Sequence, residues 1–143
     1  GESIPVEYTC DGQDRSPPLS ILNVPEETES LALIVDDPDA PGGTFTHWLL
    51  WNVPPDRTSI PADIADTEHL DSLGNACQGT NDFGDIGYGG PCPPAGSTHT
   101  YRFTIYALEE NLDVEAGRRR DPVQSALDPV RIDADRLTAT YSR

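Results

Sequence analysis

Asp36, Asp37 and Asp39 follow directly on an apolar run, His47 stands between Thr46 and Trp48 inside a second, and His99 and Tyr101 open a third. Before that third run lies Gly89-Gly90-Pro91-Cys92-Pro93-Pro94, where proline and glycine turn and stiffen the backbone. Polar groups at the ends of rigid elements are where a fold holds a site in fixed geometry. His99 and Tyr101, two apart on a strand, face the same way. Histidines with a carboxylate can pass protons, so His47 and His99 form the acid/base pair of a hydrolase reading. Its nucleophile would be Cys92, because no G-x-S-x-G motif occurs and Ser97 and Thr98 sit in an ordinary loop. Against it, a proline turn lacks the helix N-terminus that lowers a thiol's pKa. His47, His99 and Asp37 are also zinc or iron ligand types, though on separate strands and without a metal motif's spacing. Taken singly, each residue has a plainer reading. A histidine beside tryptophan packs in a core, Asp37 before Pro38 starts a turn, and Tyr101 fills a strand.

The elements that must position these groups are mostly strands. Residues 30–35 (SLALIV) are almost continuously apolar, which suits a short strand buried on both faces. A Pro/Gly-rich turn over 37–43 stops it. Residues 45–53 (FTHWLLWNV) form a second core strand, ended by Pro54-Pro55. Residues 99–108 alternate, with Tyr101, Phe103, Ile105 and Ala107 on one side. Residues 1–20 are turn-rich, and 56–90 are polar and read as a long surface excursion of the kind that often carries function. A short helix is expected from Asp121 as N-cap, with Pro122 in its first turn, towards Leu127; Pro129 interrupts it. Residues 137–141 are a last helical turn or a strand. The fold class is therefore an all-β-dominated single domain, 1–143, with a short C-terminal helix.

Bulk composition narrows the partners. The 143 residues hold 25 acidic and 9 basic side chains, a net charge of −16, and every basic one is arginine. Such a surface repels nucleic-acid backbones and anionic membranes. Either the partner is cationic or the protein works in concentrated salt, where screening removes self-repulsion; the scatter of the acids, as at Glu26-Glu27-Thr28-Glu29 and Asp133-Ala134-Asp135, favours salt. No stretch approaches a membrane span and no signal-type segment opens the chain. A cytoplasmic location is expected, with an upstream targeting segment still open. Cys10, Cys77 and Cys92 lie far apart without a CxxC pair and are expected as buried small hydrophobes in a reducing compartment; one disulfide, or a reactive thiol at Cys92, is the alternative.

Asp37-Pro38-Asp39-Ala40-Pro41, Thr46-His47-Trp48, Asn52-Val53-Pro54, Gly90-Pro91-Cys92-Pro93-Pro94 and His99-Thr100-Tyr101-Arg102-Phe103 together resemble the phosphatidylethanolamine-binding protein family, in particular its bacterial and archaeal branch. Tyr8-Thr9-Cys10-Asp11-Gly12, Ser16-Pro17-Pro18-Leu19, Asn81-Asp82-Phe83-Gly84 and Gly87-Tyr88-Gly89-Gly90 agree as well, so the resemblance spans nearly the whole chain. It implies a large antiparallel sheet packed on a smaller one, with a small anion pocket near the surface. Carried over position by position, the ligand-binding residues are Asp37, His47, Gly90, Pro91, His99 and Tyr101. Asp39 supports the turn, and Pro93 competes with Pro91 for one role. A cis peptide at Ala40–Pro41 is expected from the same resemblance. In an anion pocket the two histidines would each donate an N–H, Tyr101 its hydroxyl and the glycine loop backbone N–H groups. Asp37 would hold a histidine's tautomer and favour its charged form, or take a ligand's ammonium group. The expected partner is a phosphate-bearing small molecule or phosphorylated group. No cofactor, catalytic residue or metal is expected. Relatives described as lipid-head-group binders, as kinase or protease inhibitors and as plant signalling proteins leave the biological role open, and dimerisation is a further expectation for this branch.

Overall fold

The computed structural model describes residues 2–143. Its strands are β1 (Glu2–Ser3), β2 (Leu19–Ser20), β3 (Ser30–Asp37), β4 (Phe45–Val53), β5 (Ser59–Ile60), β6 (His69–Leu70), β7 (Ala76–Gln78), β8 (Thr98–Leu108) and β9 (Arg131–Ser142), with one helix, α1 (Arg120–Leu127). Seven strands form one sheet in the order β1-β9-β8-β3-β4-β7-β6, and β2 pairs with β5 in a small second sheet. The large sheet is mixed, because β1 runs parallel to β9 while the other pairs are antiparallel.

β3 is buried along its whole length because it lies mid-sheet with side chains packed on both faces. Leu31, Leu33 and Val35 join Trp48, Leu50, Phe103 and Ile60 on one face. Ala32 and Ile34 join Leu49, Trp51, Tyr106 and the α1 residues Val123 and Leu127 on the other. Trp48 and Trp51, both fully buried, therefore anchor opposite faces, each withdrawing about 150–250 Å² from water.

The segment 56–90 departs from expectation. It carries β5, β6 and β7 and buries Leu70, Leu73, Ala76, Gln78, Asn81 and Tyr88. Gln78 accepts from Trp48 Nε1 at 2.7 Å and donates to the Ala65 and Thr67 carbonyls, both at 2.8 Å, so its polar side chain is satisfied in the core. Residues 137–141 belong to a twelve-residue strand, β9, paired along β8, and not to a helical turn. The helix starts two residues earlier than expected, with Arg119 and not Asp121 at the N-cap. No cis peptide occurs among the described residues. Ala40–Pro41 is trans, and the Ala40 carbonyl accepts the Gly43 N–H in a turn that proline at its second position suits without isomerisation.

Candidate functional site

At one end of the large sheet, Asp37 closes β3, His47 lies in β4, and His99 and Tyr101 lie in β8. All four are buried. His99 Nδ1 bonds Asp37 Oδ2 at 2.7 Å, while Asp37 Oδ1 accepts the Asp39 N–H at 2.8 Å. Asp39 in turn accepts the Thr100 N–H at 2.9 Å, tying the turn after β3 to the start of β8. The His47 ring meets the Tyr101 ring edge-on at 5.3 Å, and the His99 and Tyr101 rings lie 6.4 Å apart.

His47 reaches this cluster through an irregularity of β4. Val35 pairs with Trp48 and Asp36 with Thr46, so His47 is the extra residue of a β-bulge. Plain alternation would send His47 to the face opposite Trp48; the bulge brings both to the same face, a common use of bulges beside sites. Asp36, Thr46 and Arg102 point the other way. There Asp36 takes Arg102 through both oxygens, at 2.7 and 2.9 Å, and Arg120 at 2.8 Å. Burial alone would raise the Asp36 pKa, but the two guanidiniums outweigh it and hold the carboxyl below its usual range.

His47 exchanges two bonds with Gly89: the ring Nδ1 lies 2.6 Å from the Gly89 carbonyl, and the Gly89 N–H reaches the His47 carbonyl at 2.9 Å. A carbonyl only accepts, so Nδ1 of His47 carries hydrogen; against the Asp37 carboxylate Nδ1 of His99 does too. This corrects the expectation that each histidine offers an N–H to an anion. Both Nδ1–H groups are spent inside the protein, and each ring turns Nε2 outward, a lone pair when neutral and a donor only when protonated. Neither Nε2 nor the Tyr101 hydroxyl has a partner among the described residues, and each keeps some access to solvent. Burial pushes the His47 pKa down, opposed by the Gly89 bond and by the charges of Asp37, Asp14 and Asp36. Burial, with the charges of Asp37 and Asp39, pushes the Tyr101 pKa up, so its hydroxyl stays a donor.

The proline loop follows directly on Gly89, the partner of His47. Gly90, Pro91 and Pro93 are buried, while Cys92 between them is exposed and bonded to Cys10 across 82 residues of sequence, with Cα atoms 5.4 Å apart. That disulfide overturns the expectation of three reduced cysteines, and only Cys77 is free. It also removes the thiol that the hydrolase reading required of Cys92. A Cβ at Gly90 would run into the Tyr8 carbonyl and the Asp14 carboxylate, so glycine is required there. Among the described residues no cluster of three metal-ligating side chains occurs.

Asp14 stands near this cluster, its charge acting on His47, and sequence reasoning missed it. It sits at φ 56°, a left-handed conformation that aspartate tolerates in turns, and accepts the Gly90 N–H at 2.8 Å. The residue as a whole is exposed, yet partial burial of its carboxyl raises its pKa against the opposing pull of Gly90 and His47. Phe83 was missed too. It lies edge-on to His47 at 5.5 Å, carried there by a loop that the buried Asn81 ties together through its side-chain amide.

Comparison with known proteins agrees with this architecture. A profile described as phosphatidylethanolamine-binding protein matches residues 1–142. A UPF0098 protein of Pyrococcus horikoshii is 46% identical over 143 residues, covering 99% of this chain and 72% of its own. The crystal structure of YbcL of E. coli, described as a member of the mammalian PEBP family, superposes with a TM-score of 0.92 at 35% identity, covering 100% of this chain and 92% of YbcL. A PEBP homologue from Chlamydia trachomatis superposes with a TM-score of 0.89 at 37% identity, over 100% of this chain and 91% of that one.

Proposed function

The chain belongs to the phosphatidylethanolamine-binding protein family, and from that premise we propose that its pocket binds a phosphate or a phosphorylated head group and that the protein is a binding module, not an enzyme. One observation carries this reading: two imidazole Nε2 atoms and the Tyr101 hydroxyl stand without protein partners on one buried floor. The three residues are buried but these three atoms keep access to solvent, so together they offer hydrogen-bonding groups that a ligand's oxygens can reach. Tyr101 donates at any physiological pH, whereas each histidine donates only after taking a proton. An anion that binds here does so with proton uptake, or brings a proton of its own. The Asp37 carboxylate holds His99 in place and sets which nitrogen faces the ligand.

A binding role is favoured over hydrolysis because His47 and His99 have no nucleophile to serve once Cys92 is in a disulfide. The scattered negative charge supports function in concentrated salt. No helix among the described residues is long and apolar enough to cross a membrane. The cytoplasmic placement expected from composition stands against the Cys10–Cys92 bond, which favours an oxidising setting or an interior that tolerates structural disulfides.

Calorimetric titration of phosphate and of phosphoethanolamine, at high salt and mildly acidic pH, into the wild type and His99→Ala tests this. Binding is expected in the wild type, weakened at least tenfold in the variant. No binding to the wild type of either compound would overturn the reading.

A further inference from the structure

Three of the nine arginines of this acidic chain gather in a single groove. Arg102, Arg119 and Arg120 line it together with Thr44, Thr46, Asp82 and Asp121, around a volume of about 420 Å³, within the range of about 300–1,000 Å³ typical of small-molecule sites. It lies on the helix face of the sheet, behind the histidine pocket. Strand alternation makes the two back to back: Asp36 and Asp37, Thr46 and His47, Arg102 and Tyr101 are sequence neighbours, one of each pair serving each face.

Three guanidiniums here face three carboxylates: buried Asp36, with Asp82 and Asp121 nearer the rim. On a molecule of net charge −16, a patch whose three arginines balance its three carboxylates opposes an anion less than the acidic surface as a whole does. The donors are not exhausted by the ion pairs. Arg102 spends Nε and Nη2 on Asp36 and leaves Nη1 without a protein partner. Arg119 gives Nη1 to the Asn81 carbonyl at 3.2 Å, stands 3.8 Å from Asp82, and leaves Nε and Nη2 unpaired. Arg120 places Nη1 between Asp36 and the Thr46 hydroxyl, so Thr46 accepts from it and keeps its own hydrogen to donate. Asp36 acts as the positioning group: Arg120 is spent on Asp36, Thr46 and the Gln124 side-chain oxygen and serves as a fixed charge, while Arg102 is held with its Nη1 free in the groove. Forked donors held rigid in this way match the geometry of an oxyanion.

We propose that this groove is a second oxyanion site, for a phosphate or sulfate group, separate from the histidine pocket and independent of its protonation. Arginine does not titrate below the alkaline limit, so affinity in the groove is flat with pH, whereas binding at the histidines weakens as pH rises. Sulfate is the probe, because its own charge does not change over this range.

The test is calorimetric titration of sulfate into the wild type, His99→Ala, Arg119→Ser and the double variant, at mildly acidic and mildly alkaline pH. Arg119 is 58% exposed, so its loss leaves the fold intact. His99→Ala is expected to keep one site of equal affinity at both pH values, weakened at least fivefold by adding Arg119→Ser. Should His99→Ala not fold, the wild type and Arg119→Ser at alkaline pH give the same comparison. Absence of pH-independent binding, or its unchanged affinity in Arg119→Ser, overturns the proposal. Failure of the histidine pocket alone would instead leave the wild type with one site, weakened at least fivefold in Arg119→Ser.

Discussion

His47 is held between opposing pressures. Burial favours its neutral ring, while the Gly89 carbonyl and the carboxylates of Asp37, Asp14 and Asp36 favour the charged one, and burial prevails. The folded pKa therefore lies below the ordinary 6.5. As pH falls from that value towards the folded one, the unfolded chain takes up a proton that the folded protein refuses, so stability falls with it. Below the folded pKa both states are protonated and this contribution stops changing. Urea unfolding at neutral and at mildly acidic pH should show a loss of stability on acidification that His47→Gln reduces. An unchanged slope in the variant would mean that His47 does not titrate below its ordinary range. Under the proposed function, an anion settling on Nε2 would restore the proton and the lost stability together.

The elements that carry the site were legible to different degrees, for physical reasons. β3 declared itself through an unbroken apolar run and β8 through alternation, because both signals are local. β9 did not. Arg131-Ile132-Asp133-Ala134-Asp135-Arg136 is charged and largely exposed, and pairing along β8 holds it extended against its weak propensity. β6 and β7 are too short to show a period and exist through pairing with each other and with β4. The residues of the pocket were legible as motifs, but the bulge that aims His47, the turn that lends Asp14, and the Cys10–Cys92 bond join segments with no local sign of one another. That bond ties the turn-rich start of the chain to the loop of Gly90, Pro91 and Pro93. Replacing both cysteines by serine is expected to cost about 2–5 kcal/mol of stability, read by urea unfolding with and without reductant, and to weaken anion binding as the loop loosens. Equal stability with and without the bond would show that the loop is held by its other contacts.

Across the whole molecule, charge dominates. The net −16 is spread over a surface whose ion pairs are few and draw on arginine and one histidine. Screening shortens from about 10 Å at 0.1 M salt to about 3 Å at 1 M, so self-repulsion fades across that range while the buried Asp36 network is little affected. The midpoint of thermal unfolding should rise with salt, and a midpoint equal in dilute buffer and molar salt would contradict the adaptation proposed here. Repulsion of this size also opposes any anion, which makes the closely placed donors of the pocket the deciding factor at short range.

The most direct test of the pocket is the proton count of binding. Sulfate titrated near neutral pH into the Arg119→Ser variant, which weakens the groove, in two buffers of different ionisation enthalpy, measures the protons taken up per anion. The account predicts net uptake approaching one proton or more, with affinity falling by up to tenfold for each pH unit above the His47 pKa. Binding without proton uptake and of constant affinity would contradict it, because the inward-facing Nδ1–H groups leave the neutral histidines nothing to donate.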